Sequence, residues 1–131
     1  MSAKFDLFSH TKEEPALEHQ ALIAATDGEV IDMHGYEALQ FIIQTSVVTA
    51  ESVFKLQHGD DPALADAVDV PVEDLINGGA GLTVLTGTAL VAQGVGYRGK
   101  KRYVRLSFVS GDVSASGTAL LGRPHVVPTE R

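Results

Sequence analysis

A chain of 131 residues with 44% apolar and 21% charged side chains is sized and composed for one folded domain with its own core, which excludes a disordered polypeptide. It contains no cysteine, so disulfides, thiolate metal sites and cysteine nucleophiles are excluded. The net charge of −7 is unevenly spread: residues 1–75 carry −12 and residues 76–131 carry +5, an asymmetry that either joins copies through opposite patches or neutralises inside one domain.

Residues 1–27 differ from the rest and are expected to form an N-terminal arm. The opening MSAKFDLFSHTKEEP has no apolar run of the kind a signal peptide needs. Apolar stretches elsewhere fall well short of the roughly 20 residues of a membrane helix, so a soluble chain made in a cytoplasm is expected. Pro15 suits the first turn of a helix, and residues 16–25 (ALEHQALIAA) favour one by propensity. Asp27-Gly28 signals a turn, and Val30-Ile31 a short strand. Residues 36–45 alternate, with Leu39, Phe41 and Ile43 on one face. Residues 52–58 alternate again, with Phe54 and Leu56 inward and Lys55 and Gln57 outward. With only residues 46–51 between them, the two segments are expected to pair as antiparallel neighbours.

Residues 59–81 read as a long acidic connection containing Asp60, Asp61, Asp66, Asp69, Glu73 and Asp74, punctuated by Pro62 and Pro71, with a helical turn over 72–76. Residues 82–95, aliphatic and rich in threonine, predict one or two buried strands. Residues 101–109 (KRYVRLSFV) alternate, with Val104, Leu106 and Phe108 inward and Tyr103, Arg105 and Ser107 outward. Ser110-Gly111-Asp112 predicts a hairpin turn, residues 114–122 a returning strand, and residues 123–131 an extended tail broken by Pro124 and Pro128. The pattern as a whole predicts an all-β chain, a β-sandwich or jelly roll with an N-terminal arm and at most short helices. The expected divisions are 1–27, 28–122 and 123–131.

Chemistry-bearing motifs are few. Gly94, Gly96 and Gly99 satisfy G-x-G-x-x-G, but a phosphate site needs a helix opening at the last glycine, and the residues that follow alternate as a strand. Lys101 also stands where a Walker-type loop places its metal-binding hydroxyl. His10, His19, His34, His58 and His125 show no metal-ligand spacing, and the aspartates of residues 60–69 lack the calcium-loop pattern. There is no G-x-S-x-G nucleophile elbow. Neither enzymatic activity, a cofactor nor a metal is therefore expected. The basic run interleaved with Tyr97 and Tyr103 could suit nucleic acid, but the acidity of the whole chain opposes that partner. It suits a protein interface better. The expected contact residues are Tyr97, Arg98, Lys100, Lys101, Arg102 and Arg105, joined by Arg123 and His125 from the tail.

Four segments carry a family resemblance: Gly28–Asp32 (GEVID) leading into GYEALQFI at 35–42; VTAESVF at 48–54 with the Gly59-Asp60-Asp61 turn; GYRGKKRYVR at 96–105; and LGRPH at 121–125. Together, across residues 20–128, they resemble small proteins encoded in the structural gene clusters of tailed phages and prophages, near the major capsid gene. The resemblance implies a head decoration, or cement, protein. Such a protein is a β-sandwich or jelly roll, often a homotrimer, bound to the major capsid protein on the outside of the virion, with no nucleic-acid or membrane partner. Other structural parts remain as alternatives, namely a head-fibre base, a connector or a tail component. A carbohydrate-binding module is disfavoured by the absence of tryptophan and the presence of only three tyrosines.

Overall fold

The computed structural model describes residues 7–85 and 91–125. After a single helical turn, α1 (Leu7–His10), the chain is built from β1 (Thr11–Leu22), β2 (Thr26–Asp27), β3 (Ile31–Asp32), β4 (Tyr36–Gly59), β5 (Val68–Asp69), β6 (Thr83–Val84), β7 (Val91–Tyr97) and β8 (Tyr103–Pro124). Two 3₁₀ turns, Val72–Asp74 and Ile76–Leu82, lie between β5 and β6. The all-β expectation with short helices holds.

Two strands dominate. β4 and β8 pair antiparallel from Tyr36↔Pro124 to Gly59↔Tyr103. Midway, the register slips repeatedly between Thr45 and Phe54: β4 takes nine steps over that stretch while β8 takes seven from Ala115 to Phe108. Surplus residues on one strand bend a ribbon and deepen its twist. Gly111 lies in this bend at φ +128, a conformation reserved for glycine, and a Cβ there would press on the Ser52 side chain, 2.7 Å from its Cβ. The bent ribbon folds back so that its halves stack. Leu106 of one half reaches over Gly117 of the other, its Cδ2 2.8 Å from where a Cβ would stand. In the first layer, residues 36–45 of β4 and 115–124 of β8 lie between β7 and β1. In the second, residues 54–59 and 103–108 lie between β5 on one side and β2 and β3 on the other. β6 joins β4 at the bend, at Ser52 and Val53. At one edge the layers are tied by Gly28 N–H to Leu106 O (2.8 Å) and Glu29 N–H to Ala16 O (2.7 Å).

Three sequence expectations are corrected here. Residues 36–45 and 52–58 are two parts of one strand, since the intervening SVVTAE has none of the glycine, proline, asparagine or aspartate that a reversal needs. Ser110-Gly111-Asp112 likewise continues β8 through the bend, opposite the surplus residues of β4, and is not a hairpin turn. Residues 16–22, helical by propensity, are strand: β1 pairs with β8 from Thr11↔Gly122 to Leu22↔Val113, and packing of Ala16 and Leu17 into the core overrides local preference. Residues 11–22 are thus part of the sheet and not of an arm. Of the expected tail, Arg123 and Pro124 remain in β8, while 126–131, like 1–6 and 86–90, fall outside the described residues. The 3₁₀ turn at Val72–Asp74 matches the helical turn expected at 72–76.

Inward rows form one core spanning both layers. Leu39, Phe41 and Ile43 meet Phe54, Leu56, Val104, Leu106 and Phe108, and all are buried. Phe54 and Phe108 pack edge to face at 5.3 Å between centroids. Each such side chain contributes about 1.5–3 kcal/mol by leaving water.

Outward rows differ between the layers. In the first, Ala38, Gln40, Ile42 and Gln44 of β4 stand beside Gly122, Leu120, Thr118 and Ser116 of β8. On the other side Gln40, Ile42 and Gln44 stand beside Gly96, Gly94 and Ala92 of β7. None of these carries a charge. In the second layer, Lys55 and Gln57 stand beside Ser107 and Arg105, with Asp27, Asp32 and Asp69 on the flanking strands. The outer edge of the first layer, β1, is a poor template for a further strand: it carries Pro15, two register shifts, and the ion-paired Lys12 and Glu14 (3.0 Å) in the core-facing row.

Candidate functional site

The end of the sandwich remote from the bend gathers most of the expected contact residues. Here the 33–35 turn, the 98–102 loop and the end of β8 converge on an open cleft of about 400 Å³. Its walls are Met33, His34, Gly35, Tyr36 and Glu37 on one side, Gly99, Lys100, Lys101 and Arg102 on the other, and His125 at the rim. Backbone bonds hold the pieces together: Met33 N–H to Arg102 O (2.9 Å), and His125 N–H to Gly35 O (2.8 Å).

The loop is fixed from beneath by a buried pair of side chains. The Tyr97 hydroxyl lies 2.7 Å from His58 Nδ1, and the Lys101 N–H donates to the same hydroxyl at 3.2 Å. The two rings meet edge on at 5.7 Å. Burial pushes the His58 imidazole below its ordinary value, opposed by Asp74 and Asp60 and reinforced by Lys101, so it is neutral at neutral pH. Burial also pushes the Tyr97 phenol up, opposed by the Lys101 N–H. In the neutral pair the phenol and Nδ1 share one hydrogen bond, whose donor is set by the imidazole tautomer. Gly99 passes so close to the Tyr97 ring that a Cβ there would stand 2.7 Å from Cε1. The glycine of the apparent phosphate motif thus serves ring packing, and Gly94 and Gly96 lie within strand β7, where no helix opens.

Tyr97 is therefore removed from the expected contact set. It is 3% exposed, because β7 alternates and places Val95 and Tyr97 on the core side. His58, which the sequence presented as an isolated histidine, is its partner; the pairing was not legible because the two residues belong to different layers. Most cations of the set are held within the chain. Arg102 grips Asp32 with two bonds, 2.8 and 2.9 Å, and its guanidinium lies 5.1 Å from the Tyr103 ring centre. The Arg102 hydrogen bond holds the Asp32 carboxyl below its usual range. Lys101 pairs with Asp60 at 3.0 Å, which raises its ammonium pKa. Arg105 donates to Gln57 (2.9 Å) and lies 3.4 Å from Asp27. Arg98 donates from Nε to Glu73 O at 3.1 Å and from its backbone to Asp74 O at 2.9 Å. The acidic N-terminal half and the basic C-terminal half thus neutralise each other in three direct pairs.

Also at this end are Lys100, exposed at the lip of the cleft; Arg123, exposed with a left-handed φ of 51; and His125, 3.8 Å from Glu37. Two carboxylates of the acidic loop hold its own backbone: Asp66 accepts from the N–H groups of Asp60 (3.0 Å) and Asp61 (3.2 Å), and Asp61 from those of Ala63 (2.9 Å) and Ala65 (3.1 Å). Those amide bonds hold the Asp66 carboxyl below its usual range. No helix among the described residues is long and apolar enough to cross a membrane.

No protein-family model matches this chain, and no curated protein matches its sequence. Among solved structures it is similar to the crystal structure of the SPBc2 prophage-derived protein YomS, with a TM-score of 0.55 at 14% identity over 86% of this chain and 95% of that one. The two share a fold along nearly their whole lengths.

Proposed function

We propose that this chain is a structural, non-enzymatic component of a tailed-phage particle, and that it acts as a decoration protein on the outside of the head, with the major capsid protein as its partner. The observation that carries the reading is the fold shared, over 86% of this chain, with a prophage-derived protein. The residue pattern of the resemblance, strongest over residues 96–105, points the same way. The chemistry of the surface is compatible with it: buried His58 and Tyr97 are engaged with each other, and Asp61 and Asp66 of the acidic loop are tied to backbone amides. What the cleft end offers is a rigid platform with Lys100, Arg123 and His125 at its rim, suited to an acidic protein surface. Many weak contacts of this sort, repeated over a shell, add up through avidity.

Purified chain added to heads that lack it tests the reading. Binding to heads, with a rise in the temperature at which they release DNA, is expected, and Lys100→Glu combined with Arg123→Glu should weaken binding at least about tenfold while leaving the circular dichroism unchanged. Binding to tails or connectors instead of heads would replace decoration with another structural role. Binding to neither would overturn the proposal.

A further inference from the structure

We propose that His58 is a proton-operated latch on the 98–102 loop: neutral, it holds residues 99–101 through the Tyr97 hydroxyl, and protonated, it lets them go. Hydrogen counting at that hydroxyl carries the idea. The oxygen has one proton to give and receives the Lys101 N–H at 3.2 Å. His58 Nδ1 stands 2.7 Å away, and the hydroxyl has no other partner among the described residues. All three groups are satisfied when the phenol donates to Nδ1, which puts the imidazole proton on Nε2. In the imidazolium Nδ1 carries a hydrogen of its own. Two donors then face one oxygen, and the phenol proton has no acceptor. The Lys101 bond is the longer of the two and belongs to a half-buried loop residue, so it is the one that yields. Gly99 lies against the same ring, so a turn of the phenol is felt there as well.

The surroundings reinforce the change. Charge on His58 repels Lys101 of the loop and attracts Asp74 of the 3₁₀ turn and Asp60, just past β4. Val68 and Val104, beside it on β5 and β8, carry no charge. Asp60 is also the carboxylate that Lys101 Nζ holds at 3.0 Å, so a second tie of the same lysine is weakened. The loop ends stay anchored, Arg98 to Glu73 O and Asp74 O, and Arg102 to Asp32 and Met33. Release is therefore confined to Gly99, Lys100 and Lys101, which form part of one wall of the cleft. Burial opposes the imidazolium, so the latch lets go below pH 6.5, and Asp74 and Asp60 limit how far below.

The latch does not rest on a role at the phage head. Nitrogen-15 spectra of the histidine rings in the unmodified full chain read it directly: at neutral pH His58 should carry its proton on Nε2. On acidification, while the core amides of Phe41 and Leu106 stay protected, exchange of the Lys101 amide, corrected for its chemical rate, should rise at least about tenfold with the midpoint of His58. His34 and His125 also line the cleft, so the His34→Gln, His125→Gln double variant is the control and should leave that midpoint in place. Tyr97→Phe, which removes the shared oxygen, should give fast Lys101 exchange at neutral pH and no further rise in acid. A proton on Nδ1 at neutral pH, a Lys101 amide that ignores the His58 titration, or a midpoint that moves with the His34 and His125 substitutions would overturn the inference.

Discussion

The two layers of this molecule are made from the same two strands, yet their outer surfaces follow opposite rules. In the first layer the outward rows of β4 and β8 carry no charge; in the second they carry Lys55, Gln57 and Arg105, matched by aspartates on the short flanking strands. Inward, the two are alike, with Phe41 and Ile43 on one side answered by Phe54, Leu106 and Phe108 on the other. The difference therefore owes nothing to the demands of the core. An outward row that keeps its charges neutralised needs no neighbour. An uncharged row has no such pairs to lose to salt or acid.

The sharpest way to break this comparison is to test inside against outside. Leu106→Ala, which opens a hole between the layers above Gly117, should cost about 3 kcal/mol of unfolding free energy in urea titration, whereas Ile42→Ala on the first outer row should stay within about 1 kcal/mol. Equal losses would mean that the outer row is part of the stabilising core. Acid separates inside from outside in a second way. His58 is held neutral by burial, so the unfolded chain binds its proton more readily, and the stability it contributes, full above pH 6.5, falls as pH drops below that value. Asp32 at the outer surface has its carboxyl lowered by Arg102, so its contribution is kept down to pH 3.8 and lost only below it. Urea midpoints should accordingly decline in two steps, and His58→Phe should flatten the first; a single loss below pH 4, unchanged by that variant, would contradict the buried pair. The smallest effect belongs to the second outer row: Arg105→Ala should cost about 1 kcal/mol or less and reduce the dependence of stability on salt.

Much of this was legible before any coordinates. The alternation of 39/41/43, 54/56 and 104/106/108 identified the inward rows, because a side-chain period of two is imposed by the strand itself. The connections were harder. Ser110-Gly111-Asp112 has the composition of a turn, but glycine at positive φ serves a bend within a strand equally well, and only the partner strand decides between them. Residues 16–22 were misread since helix propensity is local and their pairing with residues 113–118 of β8 is not. At the candidate site, the cationic loop was visible as composition, while the identity of its internal partners, Asp27, Asp32 and Asp60, lay far away in sequence. Tyr97 was misplaced by counting it with the loop instead of with the parity of β7.

The uninterrupted β4–β8 ribbon also dictates when the protein can fold. Its partners are separated by the acidic connection, β5, β6 and β7, and both layers depend on it. Neither half can close until β8 exists, and the first layer waits for its last residues to leave the ribosome. Early on, β4 carries an apolar row without a mate, a state of high contact order that folds slowly and exposes sticky surface. While the cations are still unmade, residues 1–75 carry a net charge of −12, and like charge of that size opposes contact between nascent chains.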